Sequence, residues 1–271
     1  MKAIILAAGY ATRLYPLTLT QPKPLLPIAG RPLLDHIVDR LGEVGGIDGI
    51  YVVTNAKFTA LFEHWAAERT KTAMPVSIVN DGSTDERNKL GATGDIAFVL
   101  RTRHIEDDVV VIAGDNLMSG SLKGFGRLCR ERNAPVLGVY DVRSKEDAKK
   151  FGVVSMDAKG VVVRFEEKPR VPESTLISMA LYFYPRDVLP LIGQYLKEGN
   201  GPDPSGRFIQ WLYTRMPVYG WEVSGVWFDI GFPETLAEAD AAFSEFLLQK
   251  SRNSEKSHAP PDNPAAMRKG I

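Results

Sequence analysis

The most constraining feature of this chain is a loop of small residues that directly follows a short apolar segment at the N-terminus. Residues 2–7 are apolar apart from Lys2, and they lead at once into Gly9. Such a run is typical of a central parallel strand that is buried on both faces. Small residues after the strand let backbone N–H groups approach phosphate oxygens closely. The sequence therefore predicts an α/β protein with an anion site after its first strand.

The rest of the first 150 residues alternates between predicted strands and predicted helices. The strands are predicted at residues 50–53, 76–79, 109–113 and 136–140, and the helices at residues 33–44, 58–69, 91–100 and 122–132. Short connections between alternating elements imply βαβ units with right-handed crossovers and a mainly parallel sheet. Ligands of such sheets bind beyond the carboxyl ends of the strands. Gly9 and Asp115 each follow a predicted strand, so we expect both at the same edge.

The pattern changes after about residue 150, where the predicted strands become shorter and are joined by turns. Strands are expected at residues 153–154, 161–165 and 177–184, and helices at residues 187–196 and 233–248. The fold class predicted is a Rossmann-like, mainly parallel mixed sheet flanked by helices, with a small antiparallel extension. Residues 1–250 are expected to form one domain with halves at 1–150 and 151–250. Residues 251–271 contain three prolines and few apolar side chains, and they are expected to be a disordered tail.

Composition excludes several classes of protein. Lys+Arg and Asp+Glu both number 33, and a chain without a basic excess is not expected to bind nucleic acid as its main partner. No apolar run approaches the roughly 18 residues of a membrane helix, and the N-terminal run is too short for a signal peptide. The single cysteine, Cys129, excludes an intrachain disulfide and a multi-cysteine metal site. Together these features favour a cytoplasmic protein with small-molecule ligands.

Two cations belong to the N-terminal loop and its continuation. Arg13 offers a planar guanidinium suited to a phosphate group, and Lys23 offers a mobile point charge. Pro22 and Pro24 flank Lys23 and restrict the backbone around it. A small-residue turn alone is typical of an ordinary strand end. The loop, the two cations and the proline pair together favour phosphate binding.

Four further segments carry candidate functional residues. In residues 90–96, two glycines at the start of a predicted helix allow a flat group to lie against the backbone. In residues 114–116, Asp115 follows a buried strand, where an aspartate is a natural Mg²⁺ ligand, although a turn or helix-cap residue fits the same pattern. Residues 165–169 form a charged cluster before a proline, and such clusters are often solvated turns. Residues 227–234 read Trp-Phe-Asp-Ile-Gly-Phe-Pro-Glu.

These segments, in this order, resemble the sugar-phosphate nucleotidyltransferases (NDP-sugar pyrophosphorylases). The short glucose-1-phosphate thymidylyltransferase-like and uridylyltransferase-like members are the most similar. The family motif Leu-Ala-Gly/Ala-Gly-x-Gly-Thr-Arg-Leu matches residues 6–14, with Ala11 in place of the second glycine. Pro-Leu-Thr and Pro-Lys-Pro-Leu follow at residues 16–18 and 22–25. The resemblance covers about residues 1–245, and it implies that a nucleoside triphosphate is joined to a sugar 1-phosphate with release of pyrophosphate.

The resemblance also implies a role for each motif residue. It makes residues 1–150 the nucleotide half and residues 151–250 the sugar-phosphate half, with Mg²⁺ as the cofactor. The substrates expected are dTTP or UTP together with glucose 1-phosphate. The implied residues are Arg13, Lys23 and Lys168 as catalytic cations; Leu6, Ala8, Gly9, Thr12, Arg13, Lys23, Gly91 and Asp115 for the nucleotide; Asn116, Gly152, Glu166 and Lys168 for the sugar phosphate; and Asp115 and Asp229 for the metal.

Several alternatives stay open at this point. Asp81 and Glu86 are weak candidates for reading the nucleotide base, and Ala180 stands where the family commonly has a glycine. The same fold could activate a non-sugar phosphate such as phosphocholine with CTP, or could serve in a non-catalytic homologue. A dinucleotide oxidoreductase is disfavoured because the first loop lacks the G-x-G-x-x-G spacing. The oligomeric state is open, and a homo-oligomer is one alternative.

Overall fold

A computed structural model of the chain describes residues 1–69 and 74–258, with side chains described as far as residue 249. The strands are β1 (Lys2–Leu6), β2 (Pro27–Ile28), β3 (Arg31–Pro32), β4 (Gly49–Thr54), β5 (Val76–Asn80), β6 (Val109–Ala113), β7 (Asn116–Met118), β8 (Val136–Asp141), β9 (Gly152–Met156), β10 (Val162–Glu167), β11 (Leu176–Tyr184), β12 (Tyr219–Glu222) and β13 (Trp227–Asp229). The α-helices are α1 (Leu33–Val44), α2 (Thr59–Glu68), α3 (Ala92–Thr102), α4 (Lys123–Arg132), α5 (Lys145–Ala148), α6 (Leu189–Lys197), α7 (Gly206–Leu212) and α8 (Pro233–His258).

One mixed sheet of nine strands organises the described residues. Its main path runs β10-β9-β11-β6-β1-β4-β5, while β8 pairs with β11 and β12. The strands β6, β1, β4 and β5 are parallel, and β11 runs antiparallel to β6, β8 and β9. The predicted fold class is therefore confirmed, and the antiparallel strands of the second half extend the parallel sheet rather than forming a separate layer.

Alternation along the central strands divides the interior into two cores. In β1, Ala3 and Ile5 face one core, and Ile4 faces the other. The first core also receives the apolar stripe of α1, including Leu34 and Leu41, whose spacing places them on one helical face. The second core lies under α3, α6 and α7. Because helices cover both faces, substrates reach the sheet at its edge.

The carboxyl ends of β1 and β6 meet at this edge. Leu6 pairs with Ala113, and Gly114 N–H donates to the Leu6 carbonyl at 2.8 Å. The residues that follow, from Ala7 on one strand and from Gly114 on the other, therefore leave the sheet side by side. The expectation that Gly9 and Asp115 share an edge is confirmed by this register.

Some elements agree with the sequence prediction residue by residue, and others were not predicted. Helix α1 and strand β6 have the predicted bounds. The three-residue strands β7 and β13 were not predicted, because three residues are too few to display an alternating pattern. Helix α8 continues to His258, beyond its predicted end and into the segment expected to be a tail, and residues 259–271 lie outside the described residues. No helix in the described ranges is long and apolar enough to cross a membrane.

Candidate active site

The loop after β1 is held open by contacts at its two ends. Asn55 Nδ2 donates to the Ala8 carbonyl at 2.9 Å, and Thr18 Oγ1 donates to the Ala11 carbonyl at 2.8 Å. Ala11 has a φ of 49°, in the left-handed region that favours glycine, which explains why the resemblance has glycine there. A Cβ built on Gly9 would meet no protein atom within 4 Å. The backbone at Gly9 is therefore open to a ligand.

This loop lines a cavity of about 550 Å³, which we call the nucleotide cavity. Glu86 and Lys89 reach it from the loop before α3, Gly114 and Asp115 from the end of β6, and Asp203 and Pro204 from the segment before α7. Its lining residues include six that were predicted to contact the nucleotide. Those six are Leu6, Gly9, Thr12, Arg13, Lys23 and Asp115. Lys168, the third predicted catalytic cation beside Arg13 and Lys23, lines the same cavity.

A second cavity of about 350 Å³, which we call the sugar-side cavity, adjoins the first. Arg13, Lys168 and Pro204 line both cavities, so the two basic side chains lie at their junction. The backbone of Lys168 has a φ of 50°. The Cζ atom of Arg13 lies 4.9 Å from the centre of the Phe232 ring. This contact gives the guanidinium an aromatic face beside the junction. Two anionic groups, one in each cavity, would both be within reach of these cations.

The two aspartates singled out in the sequence come together at the same junction. Asp115 follows β6, and Asp229 ends β13, whose antiparallel partner β7 begins directly after Asp115. Ile230 N–H donates to the Asp115 carbonyl at 3.2 Å. Burial and the neighbouring charge of Asp115 raise the pKa of Asp229 to about 6, against the opposing charges of Lys23, Arg13 and Lys168. Burial is the larger cause of this pKa shift, and repulsion from the Asp115 carboxylate is the second.

A cation already contacts the first of these carboxylates, that of Asp115. Lys23 Nζ lies 2.5 Å from Asp115 Oδ2. Among the described residues no group of three or more metal-ligating side chains occurs. Mg²⁺ is commonly held by one or two carboxylates together with substrate phosphates, so Asp115 and Asp229 fit a metal that binds with its substrate.

A third cavity of about 240 Å³ lies beside the N-terminus of α3, and we call it the α3 cavity. Ala8 and Gly91, both predicted nucleotide contacts, line it together with Asp95. Gly91 has a φ of 77°, and an added Cβ would lie 3.0 Å from the Cβ of Asp203. Glycine at this position thus allows the segment before α7 to close against the start of α3.

The two weak candidates for base reading differ in their surroundings. Asp81 is buried and accepts hydrogen bonds from Ser83 N–H and Ser83 Oγ, both at 2.7 Å. Burial, together with the charge of Asp81 and a hydrogen bond to it, raises the pKa of Asp95 to about 8. Glu86 lines the nucleotide cavity and pairs with Lys89 at 3.2 Å. Asp81 therefore supports the loop from inside, while Glu86 faces the cavity.

Strand alternation decides which glutamate of the charged cluster faces the sugar-side cavity. Glu166, predicted to contact the sugar phosphate, does not line it; its Oε2 pairs with Arg164 at 3.4 Å, and its side chain is 47% exposed. Glu167 lines the cavity instead, and burial raises the pKa of its carboxyl. Adjacent residues of a strand point to opposite faces, so only one of the two can reach the cavity. The predicted Gly152 also lines this cavity, beside Glu167.

Sequence reasoning missed the segment before α7. Pro204 lines all three cavities, Asp203 lines two of them, and Ser205 Oγ lies 3.2 Å from the hydroxyl of Tyr182 on the sugar side. Its glycines and prolines indicate only a loop. The one sequence signal that could have drawn attention to it is the short apolar helical stretch that follows. The predicted Asn116 is buried and does not line these three cavities, and its Oδ1 accepts a hydrogen bond from Trp227 Nε1 at 2.8 Å.

The chain is similar to several known proteins. The family model described as nucleotidyl transferase matches residues 2–245. The chain is 29% identical to the bifunctional protein GlmU of Methanocaldococcus jannaschii, over 92% of this chain and 55% of that protein. It is 26% identical to the UTP–glucose-1-phosphate uridylyltransferase AglF of Haloferax volcanii, over 92% of this chain and 99% of the relative. The chain thus spans about half the length of the GlmU relatives that it matches.

A solved structure supports the fold. The crystal structure of a UDP-glucose pyrophosphorylase complexed with UDP-glucose superposes with a TM-score of 0.75 at 22% identity, covering 90% of this chain and 98% of the other. At that identity the likeness concerns the fold of the chain. The same mixed sheet and flanking helices thus occur in both proteins.

Proposed function

Because this chain belongs to the nucleotidyl transferase family, we propose that it joins a nucleoside triphosphate to a sugar 1-phosphate and releases pyrophosphate. The observation that carries the proposal is the junction of the two cavities. Arg13 and Lys168 line both cavities, Lys23 and Asp115 line the nucleotide cavity, and Asp229 lines the sugar-side cavity, where the negative charge of Asp115 helps to raise its pKa. A reaction between two phosphorylated substrates requires this combination of cations and a carboxylate pair.

The reaction needs no nucleophile from the protein. A phosphate oxygen of the sugar 1-phosphate attacks the α-phosphorus, a new P–O bond forms, and the bond from that phosphorus to the bridging oxygen breaks. Pyrophosphate leaves with the electron pair. The barrier arises from bringing two anions together and from the charge on the leaving group, so the protein acts by positioning and by electrostatic stabilisation.

The cations divide this work by their positions. Arg13 and the backbone of the Gly9 loop would hold the β- and γ-phosphates at the end of β1. Lys23, which pairs with Asp115 in the free protein, would turn to the α-phosphate. Lys168 would hold the attacking phosphate, since it lines both cavities. Mg²⁺, held by Asp115 and Asp229, would supply further charge neutralisation at the phosphates.

The sugar side is suited to a polar, uncharged ring. Glu167 lines its cavity, as do three residues with hydroxyl groups, Ser178, Tyr182 and Ser205. Tyr182 OH lies 3.5 Å from Ser178 Oγ and 3.2 Å from Ser205 Oγ. These groups can donate to and accept from the hydroxyls of a hexose. We propose glucose 1-phosphate with UTP or dTTP as the first pair to test.

The test is a substrate panel in which the purified protein is mixed with each of five nucleoside triphosphates and with sugar 1-phosphates or phosphocholine. Pyrophosphate release is followed with Mg²⁺ present and after its chelation. We expect turnover with at least one sugar 1-phosphate and none in the Lys168→Ala variant. Turnover with phosphocholine alone would replace the proposal by its rival. No turnover above the Lys168→Ala background with any pair would overturn it.

A further inference from the structure

The wall of the sugar-side cavity contains an alanine in a backbone conformation that favours glycine. Ala180 has a φ of 51°, in the left-handed region, and it lies where the register between β11 and β8 shifts between Ser178 and Tyr182. The Cβ of an alanine makes this region unfavourable, and bulges that use it commonly have glycine at that position. Strain of this kind at a residue other than glycine is concentrated at functional sites. The backbone of Ala180 therefore indicates a function for its methyl group.

The methyl group of Ala180 lies on the side of β11 that faces the sugar-side cavity. Ser178, Ala180 and Tyr182 all line this cavity. Met179 and Leu181, which alternate with them along the strand, are buried in the first core. Because successive side chains of a strand point to opposite faces, the methyl group is on the cavity side. Ala180 is only half-buried, so the protein does not enclose this methyl group, and a bound sugar would meet it.

The sugar-side cavity is small enough for one methyl group to matter. Its volume of about 350 Å³ lies near the lower end of the range for ligand pockets, which is about 300–1,000 Å³. One added or missing methylene in a pocket changes the relative rates with two substrates by about 10–200-fold. An acetamido group on a hexose ring is larger than the hydroxyl group that it replaces. A wall that carries a methyl group therefore favours hexoses that have hydroxyl groups alone.

We infer that Ala180 is a specificity-determining residue, whose methyl group narrows the sugar-side cavity so that hexose 1-phosphates with hydroxyl substituents are accepted and acetamido hexose 1-phosphates are rejected. The inference rests on the proposed function for the reaction itself. Glycine at this position would relieve the backbone strain and widen the cavity in one step. The change that makes the backbone conformation easier should therefore make the protein less selective.

Two alanine-to-glycine variants of the full chain test the inference. Ala180→Gly removes the methyl group from the cavity wall. Ala29→Gly is the matched control, because Ala29 has a φ of 48° and is also half-buried, but lies in the turn between β2 and β3 and does not line the sugar-side cavity. Both variants relieve the same backbone conformation. Both should therefore shift the midpoint of urea unfolding in the same direction and by similar amounts.

The measurements compare glucose 1-phosphate with N-acetylglucosamine 1-phosphate. The kcat/KM of each compound is obtained from pyrophosphate release, and its dissociation constant is obtained by calorimetry without nucleotide. We expect the wild-type protein to prefer glucose 1-phosphate, and Ala180→Gly to reduce this preference by at least about tenfold, chiefly by raising kcat/KM for the acetamido sugar. Ala29→Gly should keep the wild-type preference within about twofold, because it lies away from the cavity.

An unchanged preference in Ala180→Gly would overturn the inference, as would an equal loss of preference in Ala29→Gly. A wild-type protein that already prefers the acetamido sugar would overturn it as well. If the wild-type protein turned over neither compound, the proposed function would fail, whereas the ratio of the two dissociation constants in wild-type and Ala180→Gly proteins would still decide whether Ala180 selects between the sugars. A protein that neither turned over nor bound either compound would refute both.

Discussion

The nucleotide side and the sugar side of the proposed active site are built in different ways. The nucleotide side is largely one continuous segment: it begins at Leu6, the last residue of β1, continues to Arg13, and resumes ten residues later at Lys23. The sugar side is assembled from β10, β11, the start of α7 and the end of β13, which are far apart in the chain. A local loop needs only the strand before it to be in place. The sugar side requires the whole sheet, including the bulge in β11, to have the correct register.

This difference shows where substrate specificity can change. Backbone groups of a loop recognise phosphates that all nucleotides share, so the nucleotide side is suited to a common chemistry. The sugar side uses individual side chains such as Glu167, Ser178 and Tyr182, each of which can be replaced without disturbing the loop. We therefore expect variants of the two sides to separate cleanly in their kinetic effects.

The largest effect should come from the charges that serve both sides. We predict that Asp115→Ala and Arg13→Ala each lower turnover by about 10²–10³, which is the loss typical of one strong electrostatic stabiliser. Turnover is measured as pyrophosphate release at saturating concentrations of both substrates. Asp39→Ala, at an exposed carboxylate that pairs with Arg31 on the surface, is the control and should leave turnover unchanged. If the Asp115→Ala protein turned over at nearly the wild-type rate, Asp115 would not be a metal ligand, and the proposed sharing of charges between the two sides would be wrong.

A smaller effect, confined to the sugar side, should distinguish two neighbouring glutamates. We predict that Glu167→Gln raises the KM of the sugar 1-phosphate by about 10–100-fold, because a hydrogen bond to a charged group contributes about 1.5–3 kcal/mol. Glu166→Gln is the matched control, and its effect should stay below about twofold because an exposed ion pair contributes little. The KM of the nucleoside triphosphate should be unchanged in both. The reverse order of the two variants would show that the side chains exchange faces in solution.

The same contrast explains what could be predicted from the sequence. The signature loop, its cations and the two aspartates are readable because each motif follows one element, and the sheet register then brings the ends of β1 and β6 together. Whether Glu166 or Glu167 faces the cavity depends on which face of β10 is turned toward it. The sequence pattern does not decide this, because one face carries Arg164 and Glu166 while the other carries Phe165 and Glu167, so each face has a glutamate. The contribution of Asp203, Pro204 and Ser205 depends on long-range packing against α3, for which the sequence carries no local signal.

Glycines should separate the two sides again, with effects of intermediate size. Gly9→Ala adds a methyl group where no protein atom lies within 4 Å, so we predict an unchanged free energy of unfolding and a KM of the nucleoside triphosphate about tenfold higher. Gly206→Ala would place its Cβ on Glu167 Oε2, and it should raise the KM of the sugar 1-phosphate and lower stability. Urea unfolding and initial-rate kinetics measure both quantities. A destabilised Gly9→Ala protein would mean that the loop is closed on itself rather than open to a ligand.

The smallest effect concerns stability and its dependence on pH, and it tests how the loop before α3 is held. Burial, aided by Asp81, raises the pKa of Asp95 from 3.8 to about 8. An acid whose pKa is raised by folding contributes its full stability below its unfolded pKa, and this contribution is lost as the pH rises through the folded pKa. The loss therefore develops between about pH 4 and pH 8. On the nucleotide side, the buried Asp95 therefore lowers the stability of the folded protein as the pH rises. On the sugar side, burial also raises the pKa of the Glu167 carboxyl, against the charges of Lys168 and Arg207.

Asp95→Asn removes the titration but keeps an N–H donor for Asp81. We predict that the free energy of unfolding of this variant exceeds that of the wild-type protein by about 1–2 kcal/mol at pH 8. This figure is smaller than the pKa shift alone would give, because the buried site can relax. The difference should shrink toward zero as the pH falls to about 4. Urea unfolding of both proteins at several pH values measures the difference. Asp39→Asn, at an exposed carboxylate, provides the control and should show no such trend. A stability difference that stays constant across this range would mean that Asp95 is ionised beside Asp81 at neutral pH, and that the loop is held by another contact.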